Sequence, residues 1–377
     1  MDMKKTGFPI LFVALIFAII VVFAINSNHT EAITQNLHVA STGLTRNVTN
    51  LDGTIFTVPA NITRIGCLKG PSYEKVVILG AEDKVILTSD SNNLWPWANV
   101  IFRNLTNVSQ IHNAQNPNIE DLLENKPDVI FFWTTPPEVI NKIQDAGIAV
   151  APVAMHTEFN DTKAELQVYA DVLGPDAQAK SAEYSQYFDE KVAMVLSRTA
   201  SIPQEQRPTV YFAVRTPLST TGKEESDISD MISLAGGRSV TADLSGPWGF
   251  DISMEQLLQW DPDYIIIDHC GASNLGSKPA GQTLAEMVND TRFNELKAMK
   301  NQHVYISPTG VFFWDAGSQQ ILQLMWLAKI LHPEKFEDLD MHKEIKEFYT
   351  RFYNYNLTDE EADRILKLLP PAQPAGK

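Results

Sequence analysis

MEQLLQWDPDYIII at residues 254–267 and IEDLLENKPDVIFF at residues 119–132 state one pattern twice, 135 residues apart. In each, acid or amide residues and paired leucines lead into a Pro-Asp step, and a β-branched and aromatic run follows. Proline cannot continue a helix, so each copy reads as a short helix that stops before it and a buried strand after it. The flanking sequence keeps the same grammar. SYEKVVILGAEDKVILTSD (72–90) reads as helix, stop at Gly80, strand, and VINKIQDAGIAVAPV (139–153) repeats this with a stop at Gly147. Alternation of this kind predicts an α/β domain around a parallel sheet.

Upstream, VTNLDGTIFTVPANITRIGCL (48–68) reads as a hairpin turning at Asp52-Gly53 and running into a strand at Arg64–Cys67. Between the two copies a helix ends at Leu173 before Gly174-Pro175. A second runs from about Ala177 to Thr199, with Tyr184, Phe188, Val192 and Val195 on one stripe. At 1.5 Å per residue it spans roughly 35 Å, enough to pass from one domain to another. Strand and helix then alternate again through TVYFAVR (209–215), DISDMISLAGG (227–237), HVYISP (303–308) and SQQILQLMWLAKIL (318–331). The expected fold is therefore two Rossmann-like α/β lobes joined by a single long helix. Loops at the carboxyl ends of the strands form a crevice in each lobe, and two lobes set face to face make a cleft. The expected division is 1–25 signal peptide or anchor, 26–46 linker, 47–175 first lobe, 176–200 helix, 201–366 second lobe and 367–377 tail.

Composition narrows the function. With 377 residues and a net charge of −16 the chain suits two domains and does not suit nucleic acid, whose binders need basic surface. Lys4 and Lys5 precede an uncharged apolar run from Phe8 to Ile25, on the border between a signal-peptide core and a membrane span. Either form sends the rest of the chain outside the cell. Asn-x-Ser/Thr acceptors at Asn28, Asn47, Asn61, Asn104, Asn107, Asn160, Asn289 and Asn356 agree, although each is weak alone and chance supplies several. The two cysteines, Cys67 and Cys270, fall in different halves, which argues against a disulfide between them.

No hydrolase, zinc-protease, P-loop or dinucleotide motif occurs, and the histidines stand singly. Trp95, Trp97, Trp133, Trp248 and Trp314 fall in loops or at strand ends. One such tryptophan is ordinary edge packing; five suggest an aromatic-walled pocket. Arg103 and Arg215 beside such loops are candidate partners for ligand charge. His269 follows the strand YIIID at its crevice end. An extracellular metalloenzyme is the rival from another class, and it predicts a cluster of Cys67, His269 and Cys270.

These stretches, from about residue 50 to 366, resemble the solute-binding proteins of ABC importers for iron complexes and vitamin B12. The resemblance rests on NLDGTIFTVPANITRIGCL, LGAEDKV, both LL…PD units, PLSTTGKEESDISDMISLAGGRSV, PWGFDISMEQLLQWDPD and WLAKILHPEKFEDLDMHKEIKEFYTRFY. The last phrase is most similar to archaeal iron-complex binders. The resemblance implies the class III periplasmic-binding fold and a monomer that has no cofactor and no catalysis. It implies capture of an iron(III) chelate or a corrinoid in the cleft, and delivery to an ABC permease and its ATPase. It further implies that one acid per lobe docks the permease, at Glu74 and at Glu224 or Glu225, and that Trp248 walls the ligand. No lipobox cysteine is present, so the tether would be the apolar N-terminus itself.

Overall fold

Both copies of the repeated phrase form the helix–strand unit, and their correspondence extends to the caps. In the computed structural model, which describes residues 44–89, 96–134, 136–268 and 280–372, the first helix is capped by Asn118, whose side chain accepts from the Glu120 amide at 2.9 Å. The second is capped by Ser253, accepting from Gln256 at 3.1 Å. Both end on a left-handed residue, Lys126 at φ 50° and Asp261 at φ 42°. The Pro-Asp step has a role of its own. Asp128 Oδ2 accepts from the Thr63 and Arg64 amides at 2.7 and 2.9 Å, and Asp263 Oδ2 from the Thr209 amide at 2.9 Å. Each aspartate thus ties the start of its own strand to the start of the neighbouring one.

In chain order the elements are β1 (Thr45–Thr49), β2 (Ile55–Pro59), β3 (Ile65–Cys67), α1 (Ser72–Ile78), β4 (Val85–Ser89), α2 (Pro96–Ile101), β5 (Ser109–Ile111), α3 (Ile119–Asn125), β6 (Val129–Phe132), α4 (Pro137–Asp145), β7 (Ala149–Pro152), α5 (Asp161–Leu173) and α6 (Pro175–Thr199). Then come β8 (Thr209–Ala213), β9 (Ser219–Thr220), α7 (Asp227–Leu234), β10 (Arg238–Ser239), β11 (Phe250–Asp251), α8 (Met254–Trp260), β12 (Tyr264–Ile267), α9 (Ala280–Asn289), α10 (Lys297–Lys300), β13 (Val304–Ile306), α11 (Gln320–Leu331), α12 (Met341–Tyr353) and α13 (Asp359–Leu366).

The first lobe holds a five-stranded parallel sheet in the order β5-β4-β3-β6-β7, and the second a four-stranded parallel sheet in the order β10-β8-β12-β13. β6 and β12, the strands of the repeated unit, are interior in their sheets and buried along almost their whole length. Both read as continuous apolar runs, as parallel strands covered on two faces require. The β1–β2 hairpin turns at Gly53, φ 81°, and packs on the edge strand β7.

The long helix α6 has 25 residues, about 37 Å at the helical rise. Gly174 at φ 106° separates it from α5, a conformation only glycine takes without strain. Tyr184, Phe188 and Val195 are buried along its stripe, and Tyr184 and Tyr187 meet Phe348 and Phe352 of α12 edge to face.

Residues 341–369, assigned from sequence to the second lobe and tail, pack on α11 and also reach back to the first lobe. Tyr353 packs on Phe102 with ring centroids 5.4 Å apart, and α12 covers α1, all of whose residues are buried. Periodicity marks a helix but not which neighbour its apolar face covers. Among the described residues no helix is long and apolar enough to cross a membrane; the apolar run at 8–25 lies outside them.

Candidate functional site

The carboxyl ends of β3, β6 and β7 in the first lobe, and of β8, β12 and β13 in the second, define the crevice. Trp133 directly follows β6 and is half-buried. Lys69 follows β3 with Nζ 5.6 Å from the Trp133 ring centroid. That ammonium is held from below: it donates to the Val153 and Ala154 carbonyls at 3.1 and 3.3 Å and to Glu165 Oε1 at 2.9 Å. Trp133 joins Asn113, Gln115, Asn116, Pro136 and Lys142 around an open depression of about 890 Å³.

In the second lobe Arg215 follows β8 at φ 62°, a left-handed conformation uncommon outside glycine. Its amide donates to Asp268 Oδ1 at 3.1 Å and its carbonyl accepts from Thr283 Oγ1 at 2.8 Å, which fixes the turn. The exposed guanidinium then lies 4.2 Å from the Trp248 ring centroid. A cation stacked on an indole is pre-organised and still has N–H donors for a ligand.

Other predicted residues sit elsewhere. Trp97 is 3 % exposed and donates its indole N–H to the Leu369 carbonyl at 3.1 Å, as a core residue. Trp314 is fully buried and donates to Gln319 Oε1 at 3.1 Å. Arg103 is exposed but lies in the segment leading into β5, at the amino edge of the sheet and away from the crevice. Its neighbour Asn104 donates through its amide to Glu82, which precedes β4. Sequence adjacency to a loop did not reveal which end of the sheet that loop serves. Trp95, His269 and Cys270 lie outside the described residues.

The docking acids divide. Glu74 is 3 % exposed and accepts from the Tyr353 hydroxyl at 2.5 Å, so it presents no carboxylate to a partner. Burial raises its pKa, against the pull of Lys75 and Tyr353. The reason is again α12, which covers the helix that carries it. Glu224 is exposed and accepts from the Gly246 amide at 2.9 Å, a bond that lowers its pKa. Glu225 is half-buried, and burial raises its pKa.

Sequence reading missed a buried polar chain at the base of the cleft. Glu165 of α5 receives Lys69, stands 3.7 Å from Lys75 Nζ, and meets His156 Nδ1 at 2.6 Å. Burial works against its charge, but Lys75, Lys69 and His156 together hold it well below the usual carboxylate range. His156 Nε2 lies 3.1 Å from Gln320 Oε1 in the second lobe, which also accepts from Thr162 at 2.6 Å. Gln320 Nε2 donates to Asp227 Oδ2 at 2.9 Å, and the Asp227 amide crosses back to the Thr157 carbonyl at 2.9 Å. Burial pushes Asp227 up to about 6, against His156 and the bond from Gln320. Partners this far apart in sequence leave no local signal. Phe312 and Phe313, half-exposed after β13 with centroids 4.7 Å apart, were legible as VFFW beside Trp314.

Cys67 is a buried free thiol that burial pushes far above its ordinary pKa, the opposite of a metal-binding or nucleophilic thiolate. Among the described residues no three His, Cys, Asp or Glu side chains are grouped to hold a metal ion.

Comparison with known proteins follows the same outline. The family model described as periplasmic binding protein matches residues 65–309. The molybdate-binding protein MolA of Haemophilus influenzae is 26% identical over 336 residues, 82% of this chain and 91% of its own. The iron-uptake system-binding protein of Bacillus subtilis is 27% identical over 226 residues, 55% of this chain and 63% of its own. A solved periplasmic solute-binding protein from Veillonella parvula superposes with a TM-score of 0.69 at 27% identity, covering 86% of this chain and 98% of that one.

Proposed function

The chain belongs to the periplasmic binding protein family, as the solute-binding component of an ABC importer, and we propose that its cargo is an anionic metal chelate, an iron(III) complex of the siderophore type. The observation that carries this is Arg215 stacked on Trp248 at the carboxyl end of β8. It offers a fixed positive charge with free donors where a ligand enters. Across the crevice, Trp133 and the polar side chains around the 890 Å³ depression supply a wall and hydrogen-bond partners. A volume near the upper end of the usual ligand-pocket range suits a chelate of drug-like size. A corrinoid, with its large apolar rim, asks for aromatic walls with few charges.

In this reading the cargo neutralises Arg215, lies against Trp248 and Trp133, and is handed to the permease from the crevice side. Glu224 is the exposed acid that docks the second lobe. Residues 1–25 tether the chain to the outer face of the membrane. A molybdate-type oxyanion is the second reading, favoured because the molybdate-binding relative matches over 91% of its own length.

Tryptophan-fluorescence titration of residues 35–377 tests the proposal, with ferric catecholate, ferric hydroxamate, cyanocobalamin and molybdate. Saturable quenching by a ferric chelate at micromolar level or below, weakened in Arg215→Ala, is expected. Saturation by molybdate alone, or by cyanocobalamin alone, overturns it.

A further inference from the structure

The asparagine sequons are more than composition supplies. The chain has 23 asparagines, and 47 of its 377 residues are serine or threonine. Random order would yield about three Asn-x-Ser/Thr triplets; there are eight, and seven carry threonine. Seven of the eight fall within the described residues, and in all seven the asparagine is exposed. The structure then separates them by the hydroxyl two residues on, which a glycosyl-transferring enzyme must reach together with the amide.

Thr162, the hydroxyl partner of Asn160, is buried and donates to Gln320 and to the Phe159 carbonyl. Thr63, partner of Asn61, donates to Asp128, and Thr358, partner of Asn356, is engaged with Glu361 in a helix cap. Asn47 accepts from Thr57 at 3.0 Å. In the remaining three triplets, Asn104-Leu-Thr106, Asn107-Val-Ser109 and Asn289-Asp-Thr291, the amide and the hydroxyl are both exposed, and neither makes a side-chain hydrogen bond among the described residues. Asn104 and Asn107 flank the segment into β5, on the sheet edge opposite the crevice. Asn289 ends α9.

We propose that Asn104, Asn107 and Asn289 are N-glycosylation sites, filled on the folded chain outside the membrane. The donor class is a saccharide carried on a polyprenyl phosphate. The asparagine Nδ2 bonds to the sugar C1 as the C1–O bond to phosphate breaks. The polyprenyl phosphate leaves with that electron pair, and one amide proton passes to base. The acceptors at Asn104 and Asn107 place their sugars at the amino edge of the sheet, away from the crevice, whereas Asn289 and Thr291 stand beside Thr216 and Leu218 of the loop after β8.

The test is electron-transfer mass spectrometry of peptides from the chain isolated from the cell that makes it. Saccharide mass localised to Asn104, Asn107 and Asn289, with Asn160 bare, is expected. Replacing all three with glutamine should remove that mass. Bare peptides at all three positions overturn the proposal. Saccharide on Asn160 overturns transfer to the folded chain, because Thr162 is inaccessible there.

Discussion

Replacing Glu165 with glutamine should destabilise the protein more than any single change at the crevice rim. The substitution keeps the side chain's shape and one carbonyl oxygen, and removes the charge that faces Lys69 at 2.9 Å and Lys75 at 3.7 Å, both fully buried. Lys69 retains two carbonyl acceptors. Among the described residues Lys75 Nζ makes no hydrogen bond and has Glu165 as its ion-pair partner, so it bears most of the loss. Removing one member of a buried pair typically costs about 3–5 kcal/mol, because the other charge stays desolvated. Against a total stability of about 5–15 kcal/mol this is a large fraction. Urea unfolding followed by tryptophan fluorescence reads the change as a lower midpoint at an unchanged slope. The double variant Glu165→Gln with Lys75→Met should recover at least half of the loss, since it removes the stranded charge as well. A loss below about 1 kcal/mol, or a double variant no more stable than the single, would refute the reasoning.

Acid dependence carries two opposite signs. Glu165 is depressed in the folded state, so its contribution is present above the unfolded carboxylate value, near 4.3, and is lost as pH falls through the lower folded value. Asp227 is raised to about 6, so between about 4 and 6 the folded state binds the extra proton and stability falls as pH rises. Asp227→Asn should flatten that decline in midpoints measured from pH 4 to 7; an unchanged slope would contradict it. Trp97→Ala should lower stability by about 3–5 kcal/mol and leave cargo affinity alone. Trp133→Ala should do the reverse, weakening cargo binding at least fivefold with little change in the urea midpoint. Glu224→Lys should abolish uptake in cells while leaving cargo affinity intact. Glu74→Gln should spare uptake, and a defect as large as that of Glu224→Lys would show that Glu74 becomes accessible.

What the sequence made legible was whatever is stated by neighbours in the chain. The repeated unit shows in its leucines, its Pro-Asp step and its apolar strand, because helix period, proline chemistry and strand burial act over a few residues. The long helix shows in Gly174-Pro175 and an unbroken stripe. The site was read less well. Trp133 and Arg215 follow β6 and β8 at their carboxyl ends, and Trp248 lies against the Arg215 guanidinium. Trp97 and Trp314 had the same residue type and a similar place in sequence, but a covering element turned them into core. Arg103 was misplaced because a loop's sequence does not say which edge of the sheet it serves. The Glu165–His156–Gln320–Asp227 chain joins residues up to 164 positions apart, and no local pattern announces it.

The return of α12 to cover α1 has a consequence for biosynthesis. N-terminal domains commonly finish folding while the rest of the chain is still on the ribosome. Here α1, with Tyr73, Val76 and the Glu74 carboxylate, is sealed only by residues near 341–353, and Trp97 finds its acceptor at Leu369. The first lobe therefore leaves the ribosome with an open apolar flank. Its last piece, residues 341–369, is made only after the whole of the second lobe's sheet, so closure of the first lobe waits on a segment synthesised about 270 residues later than the helix it covers.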